Sequence, residues 1–308
     1  MSGSAKPRDA IGWIAIALTV ALWVTFALST RAIAFSHLTR LDVAFIRYAV
    51  PSVVLLPWMG KAWRAMRRAP FWTLSLIAIG AGLPFLMLSA LGASRSSATL
   101  LGVINPGIPP VYVAMLGFLI WRQPVSRIAI AGYVCIVLGV VTMVLASPSH
   151  LGITAAGILL LSAFFWALFT IGYQRSGLHP ATATVLVNVP SAMVALALIA
   201  TGVGPSNLTT APLSQIGEFV LMQGIGSGIV SSLAYTVAIR RLGARTAATF
   251  GALSPGVTAM VAIPVFGESV TAIAACGIAL VVGGIVLANR QREPHAAPTS
   301  ETSLVSAA

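Results

Sequence analysis

Ten long apolar runs, separated by short polar or Gly/Pro-bearing breaks, dominate this sequence. Each run has about 20 residues, which is the length that an α-helix needs to cross the hydrocarbon core of a bilayer. The sequence therefore predicts an all-α integral membrane protein with ten transmembrane helices. The predicted spans cover residues 11–29, 41–59, 70–91, 97–120, 126–146, 152–173, 181–201, 214–239, 246–267 and 269–289.

The composition agrees with a lipid environment and argues against a nucleic-acid partner. Hydrophobic residues make up 58% of the chain and charged residues only 8%, whereas about a quarter of a soluble domain is charged. The net charge of +12 comes from basic residues that stand singly or in small groups between apolar runs. That pattern is typical of the cytoplasmic loops of a membrane protein.

The distribution of Lys and Arg predicts the orientation. One set of loops and tails holds Lys6, Arg8, Lys61, Arg64, Arg67, Arg68, Arg122, Arg127, Arg175, Arg240, Arg241, Arg245, Arg290 and Arg292. The other set holds Arg31, Arg40 and Arg95. Because positive residues concentrate on the cytoplasmic side, we expect both termini to be cytoplasmic in the inner or plasma membrane.

One phrase occurs twice in the chain. "LGASRSSATLLGVINPG" at 91–107 returns, with two small gaps, as "LGARTAATFGALSPG" at 242–256. Likewise, "ALWVTFA" at 21–27 is similar to "FFWALFT" at 164–170. Two pairs of glycines also correspond: Gly132 and Gly139 to Gly277 and Gly284.

These matches predict two copies of a five-helix unit, at residues 11–146 and 152–289. Residues 1–10 are expected to form a cytoplasmic tail, and the polar residues 290–308 a disordered cytoplasmic tail. Five is an odd number, so the second copy enters the membrane inverted relative to the first. Inverted repeats are a common basis of alternating access, with a substrate site between the halves.

Taken together, these features resemble the EamA-type transporters of the drug/metabolite transporter superfamily. The resemblance rests on the repeat, on "ALWVTF" and "FFWALF", and on the segment from Gly243 to Leu287 with Pro255 and Glu268. It implies a secondary transporter, most often an exporter, of amino acids, other metabolites or drugs. The Glu at the end of the repeat's fourth helix is present as Glu268, but Gln123 stands at that position in the first copy.

Aromatic residues at matched positions are the first candidates for the substrate pathway. Trp23 and Trp166 lie deep in predicted spans 1 and 6, with Phe26 and Phe169 one turn further on. Tryptophan in membranes prefers the interface, so its deep placement has two interpretations: packing between the halves, or an aromatic wall of a central cavity. Tyr235 in span 8 is a further candidate.

Matched prolines are the second group of candidates. Asn105-Pro106 lies inside span 4 and Ser254-Pro255 inside span 9. Each proline removes a backbone hydrogen bond and leaves a carbonyl that needs another partner in lipid. The polar groups at this level either contact substrate or hold neighbouring helices together.

Three charged residues receive structural or coupling roles: Arg47, Asp42 and Glu268. Arg47 is the only basic residue well inside a predicted span, since Arg127 stands at the very start of span 5. Such a residue costs about 2.5–3.5 kcal/mol on insertion scales at the bilayer centre. It either extends to the outer interface and pairs with an acid such as Asp42, or contacts an anionic group of the substrate.

Enzymatic and structural alternatives lack their own signals. The four histidines lie in predicted loops or the tail, and no cluster has metal-ligand spacing, so we expect no catalytic site, metal or cofactor. The alternatives to a transporter are an intramembrane enzyme and a non-transporting structural membrane protein. The expected partners are a small organic substrate and the lipid bilayer, with the chain as a monomer or homodimer.

Overall fold

The computed structural model describes residues 7–146 and 150–289, and every regular element in these ranges is helical. The α-helices of the first half are α1 Pro7–Ala32, α2 Arg40–Val54, α3 Met59–Met66, α4 Phe71–Gly80, α5 Leu83–Ser94, α6 Ala98–Gly107, α7 Pro109–Trp121 and α8 Arg127–Leu145. Those of the second half are α9 His150–Ser176, α10 Pro180–Ala200, α11 Leu213–Phe219, α12 Ser231–Leu242, α13 Ala244–Gly251, α14 Ser254–Phe266 and α15 Ala272–Ala288. A π-helix at Val220–Val230 joins α11 to α12.

Within the described ranges, eight helices are long and apolar enough to cross a membrane, some of them assembled from two consecutive segments. They correspond to predicted spans 1 and 3 to 9. Predicted span 10 is the shorter apolar helix α15. The ten-span arrangement therefore stays a prediction. The N-terminal helix begins at Pro7, inside the segment expected to be a tail, and the predicted tail at 290–308 lies outside the described residues.

Predicted span 2 ends earlier than expected. The sequence favoured one apolar run over 41–59, but α2 ends at Val54 and the chain then bends by 59° into the short helix α3. Pro57 follows the bend, and α3 carries Lys61 and Arg64 beside the exposed Trp63. A helix with basic and aromatic side chains is suited to the membrane interface rather than to its core.

Two spans are interrupted near their middle, at equivalent places in the two halves. The third is broken between α4 and α5, where Pro84 lacks the N–H that would continue the helical ladder. The eighth contains the π-helix, in which Gly224, Gly226 and Gly228 follow Gln223. A π-helical segment widens the turn and is common at functional sites.

Several helix contacts join corresponding spans of the two halves of the chain. Helix α8 packs against its counterpart α15, α2 against α10, and α6 against α14. Helix α1 contacts α12 and α14, and α9 contacts α4 and α6. Other contacts are particular to one half: α10 also packs against α3, to which no described helix of the second half corresponds.

Four glycines make close contacts between the two halves of the chain. A Cβ on Gly132 would lie 2.6 Å from the backbone nitrogen of Ala288 and 2.6 Å from the carbonyl oxygen of Gly284, both on α15. A Cβ on Gly139 would lie 2.6 Å from the carbonyl oxygen of Gly277. These are the glycines that the repeat matches, and they meet reciprocally across the α8–α15 interface. Small residues allow this approach of two helix backbones.

Candidate functional site

Arg47 on α2 reaches across to the second half of the chain. Its Nη1 donates a 2.8 Å hydrogen bond to Oε1 of Gln223, in the π-helix. The guanidinium carbon also lies 4.9 Å from the ring centroid of Phe26 on α1. Its Nε is buried and has no hydrogen-bond acceptor in the described part of the chain. The guanidinium therefore contacts a neutral amide oxygen and lies beside two aromatic rings, that of Phe26 and, at 6.0 Å, that of Tyr48.

Gln223 is held rigidly in this arrangement. Its side chain is fully buried, and its Nε2 donates to Oγ of Ser29 at 2.9 Å and to Oγ1 of Thr30 at 3.0 Å. Both hydroxyl groups come from α1. Because the amide nitrogen is fixed by two acceptors, the amide oxygen points to Arg47. The π-helix thus presents an oriented acceptor that links α1, α2 and the eighth span.

An aromatic stack extends from Arg47 through the middle of the bundle. Phe26 stacks on Phe85 with ring centroids 6.0 Å apart, and Phe85 contacts Trp166 at 5.0 Å. Trp166 contacts Phe169 at 5.0 Å, and Phe169 stacks on Tyr173 at 5.9 Å. The first two rings belong to the first half of the chain and the last three to α9. All except Phe85 are half-buried, so the stack offers accessible apolar faces.

A buried polar cluster lies behind Phe85. Nδ2 of Asn105 donates to Oγ of Ser89 at 3.1 Å, and the Oγ atoms of Ser89 and Ser162 are 2.7 Å apart. Ser162 also donates to the carbonyl oxygen of Phe85 at 3.3 Å. These groups connect α5, α6 and α9 and satisfy one another. For Asn105, this arrangement favours the interpretation that it holds helices together.

Trp23 and Trp166 belong to different aromatic groups. Trp23 lies 5.2 Å from Tyr235 in ring-centroid distance and contacts the backbone at Gly251. Trp166 belongs to the stack just described. The structure therefore brings Trp23 together with Tyr235, and Phe26 together with Trp166 and Phe169 through Phe85. Roles in substrate binding stay predictions for all of them.

Both matched prolines lie beside helix interruptions. Helix α6 ends one residue after Pro106, because Pro109 and Pro110 supply no N–H to continue the ladder. In the ninth span the break falls at Ala252 and Leu253, immediately before Ser254 and Pro255. Ser254 is buried, and its hydroxyl has no hydrogen-bond partner in the described part of the chain.

The carboxylates of Asp42 and Glu268 are both occupied at helix N-termini. Asp42 accepts hydrogen bonds from Thr39 N and Asn207 N, both at 2.9 Å, and from Ser206 Oγ at 2.6 Å. The expected pairing of Arg47 with Asp42 is therefore wrong: the carboxylate caps α2 and anchors the loop after α10. Glu268 accepts from Ala98 N at 2.6 Å and from Oγ1 of Thr99 at 2.7 Å, which ties the end of α14 to the start of α6.

Two cavities flank this region. One of about 500 Å³ is lined by Ile33 at the end of the first span, by Met87 and Ala90 of α5, and by Leu198 of α10, among others. It lies about one turn beyond Thr30 and Phe85, on the side predicted to face outside. Another of about 300 Å³ lies between α7 and α9 and includes Gln123 and Arg175.

Comparisons with known proteins agree with this architecture. Residues 153–290 match the model of the EamA-like transporter family. The chain carries an EamA domain of the drug/metabolite transporter superfamily. EamA proteins are membrane transporters, and the long apolar helices make this chain an integral membrane protein.

The fold extends beyond the matched EamA domain. Eighteen chains of solved structures match this protein in fold. One of them, a crystal structure, has 16% sequence identity and a TM-score of 0.57, over 92% of this chain and 97% of its own. At that identity the likeness shows a shared fold and nothing of the substrate. No curated protein sequence matches the chain.

Several residues around the candidate site are not predictable from the sequence. Gln223, Ser29 and Thr30 fix the Arg47 side chain, and Phe85 bridges the two halves. The sequence does mark Gln223 as a candidate site residue, because it is an amide inside an apolar run, just before a glycine-rich stretch. Phe85 had none, because one phenylalanine among many apolar residues is not distinguishable without the fold.

Proposed function

We propose that this chain is a secondary transporter that exports a small organic solute, such as an amino acid, another metabolite or a drug, by alternating access. In this proposal, ten spans form two five-helix halves, of which the second is inverted relative to the first. The protein lies in the inner or plasma membrane, and both of its termini are cytoplasmic. The chain works as a monomer or homodimer.

One observation supports the proposal most strongly: residues of both halves of the chain meet around Arg47 and Phe85. Arg47 and Phe26 come from the first half, whereas Gln223 and Trp166 come from the second. A site built by both halves changes its access when the halves change their relative arrangement. The reciprocal glycine contact of α8 with α15 supports the same arrangement, because it leaves one pair of helices as a fixed support.

The depth of the site supports a transport pathway. Arg47 lies seven residues from the start of α2, which is about 10 Å at 1.5 Å per residue. Trp166 is near the middle of α9, and Phe85 near the middle of the third span. Substrate sites of many transporters lie near the middle of the membrane, where helices are interrupted.

Counterflow in proteoliposomes tests the proposal. Overexpression first identifies, from a library of amino acids, metabolites and drugs, the compounds whose toxicity falls. The purified protein is then reconstituted, and uptake of each labelled compound into vesicles preloaded with the unlabelled one is measured. Saturable uptake that exceeds the uptake by protein-free vesicles supports a carrier. Conversion of the compound indicates an enzyme, and the absence of both for every compound contradicts the proposal.

A further inference from the structure

The charge of Arg47 lacks an acidic partner. A guanidinium stays protonated at any physiological pH, and a charge removed from water is stabilised only when it is paired and hydrogen-bonded. Three carboxylates occur in the described side chains: Asp42 and Glu268 are bound to helix N-termini, and Glu218 is exposed at the end of α11. None of them neutralises Arg47.

The groups that do contact Arg47 are neutral. Gln223 accepts one of its hydrogen bonds, and Phe26 offers an aromatic face. A cation–π contact and a hydrogen bond to a neutral amide are both weaker than a bidentate hydrogen-bonded pair of guanidinium and carboxylate. The neutral surroundings therefore position the guanidinium without neutralising it. At such a site an anionic group of a ligand binds more favourably than a neutral or cationic group does.

The surroundings of Arg47 also define the shape of the ligand. The faces of Phe26, Trp166 and Phe169 run away from the guanidinium as one stack. When a ligand with a flat apolar body lies against this stack, a carboxylate at the end of that body reaches Arg47. An ammonium group on the same body finds no acidic side chain there, since the nearby described carboxylates are already bound.

We infer that the site at Arg47 selects organic anions, namely carboxylates attached to an aromatic or flat apolar body, over neutral, zwitterionic or cationic compounds with the same body. This inference rests on the proposed function and names its substrate class. Arg47 is the residue that recognises the carboxylate, and Gln223 is the positioning residue that orients it. The cavity of about 500 Å³ lies on the predicted outer side and is lined by Met87 and Ala90 of α5, the helix that carries Phe85.

A series of four compounds with one phenyl ring tests the charge preference. Phenylacetate is an anion, phenylalanine a zwitterion, phenylacetamide neutral and phenethylamine a cation at pH 7.5. Their affinities for the purified, detergent-solubilised protein are measured by calorimetry, with acetate as the compound without a ring. We expect phenylacetate to bind at least tenfold more tightly than the other four. Equal or tighter binding by the neutral compound or the cation overturns the inference.

Variants then connect the preference to Arg47. Replacing Arg47→Gln is expected to weaken phenylacetate binding about tenfold to a hundredfold and to leave phenylacetamide unaffected, since only the charged hydrogen bonds are lost. Arg47→Lys keeps the charge but lacks the planar fork, so it should weaken phenylacetate binding less than Arg47→Gln does. Arg127→Gln at the start of α8 is the control, because Arg127 is exposed and lines neither cavity. Unchanged phenylacetate binding by folded Arg47→Gln contradicts the inference.

The outcomes separate this inference from the proposed function. Saturable counterflow of some solute, without any preference for the anion, removes the inference and leaves the transporter intact. Absence of counterflow for the whole library removes the transporter, whatever phenylacetate does. If Arg47→Gln does not yield a monodisperse protein, the ranking of the four phenyl compounds on the unmodified chain still decides.

Discussion

At the scale of single residues, Tyr48 shows how this membrane protein tolerates a broken helix. Its hydroxyl lies 2.6 Å from the carbonyl oxygen of Gly82 and 3.1 Å from that of Ala81, at the gap between α4 and α5. Ser191 Oγ accepts from the N–H of Leu83 on the other side of the gap. In a bilayer such exposed backbone groups need partners from the protein.

Removing this hydroxyl should destabilise the protein. Tyr48→Phe leaves the carbonyl groups at the break without their donor, and a buried unsatisfied group costs about 1–3 kcal/mol. We expect a loss of that size in the free energy of unfolding in mixed micelles. Tyr133→Phe is the matched control, because in the described chain no hydrogen bond involves the Tyr133 hydroxyl. Equal stabilities of the two variants would show that the break does not depend on Tyr48.

Glu268 is expected to hold the outer side closed. Its carboxylate accepts hydrogen bonds from the first turn of α6, where a negative charge is favoured. Glu268→Ala should raise the rate at which an impermeant thiol reagent reaches Phe26→Cys from outside by about tenfold, if about 1.5 kcal/mol of closure is lost. Glu268→Gln should have a smaller effect, because the amide oxygen still accepts a hydrogen bond.

The exposed carboxylate of Glu218 supplies the control for that measurement. Glu218→Ala removes the same charge from the end of α11 without touching α6. An equal rise in labelling for both alanine variants would point to surface charge rather than to the contact between α14 and α6.

At the scale of helices, the matched prolines predict opposite effects. Pro106 stands beside the break between α6 and α7, and Pro255 beside the break between α13 and α14. If the two halves are inverted relative to each other, bending at one of these breaks opens the pathway to one side of the membrane, and bending at the other opens it to the opposite side. Pro106→Ala should bias the protein toward one side and Pro255→Ala toward the other, with lower flux and near-normal expression, because alanine favours a helix.

Labelling of cysteines introduced at Trp23 and Trp166, from each side of the membrane, provides the measurement. Pro51 and Pro190 are matched controls, since each lies inside an uninterrupted helix. Shifts in the same direction for both variants, or no shift in either, would reduce the prolines to packing features.

The sequence predicts helices well because their signal is local. A run of about 20 apolar residues is sufficient to place α8 or α10 within one or two residues. The bend after α2 and the π-helix were missed. The first depends on where Pro57 and the basic residues of α3 meet the interface, and the second on how Gln223 is held by α1. Both are tertiary effects that a hydropathy pattern does not contain.

The candidate site was only partly predictable for the same reason. Arg47 is recognisable because a charge inside an apolar run is unusual. Its partner was not, because Gln223 is 176 residues away in sequence. The predicted pairing with Asp42 followed from proximity along the chain, whereas the fold gives that carboxylate to the backbone of residues 39 and 207.

At the scale of the whole molecule, the two halves of the chain meet through backbone contacts of glycines and through side-chain contacts. The α8–α15 interface brings glycine backbones into direct contact and has little room for sliding. Around the middle of the bundle, the spans of the two halves also meet through aromatic side chains and through the hydrogen bond between Arg47 and Gln223. In the proposed transport cycle, the α8–α15 interface would serve as the support about which the two halves move.

The proposed alternating access is tested by measuring whether the aromatic stack is accessible from both sides of the membrane. Cys135 and Cys276 are first replaced by alanine, and a single cysteine is introduced at Phe26. An impermeant thiol reagent is then applied to oriented vesicles from outside or from inside. The account predicts reaction from both sides, with a substrate identified by counterflow protecting the cysteine in each case. Reaction from one side only, under every condition, would contradict a pathway that alternates between the two halves.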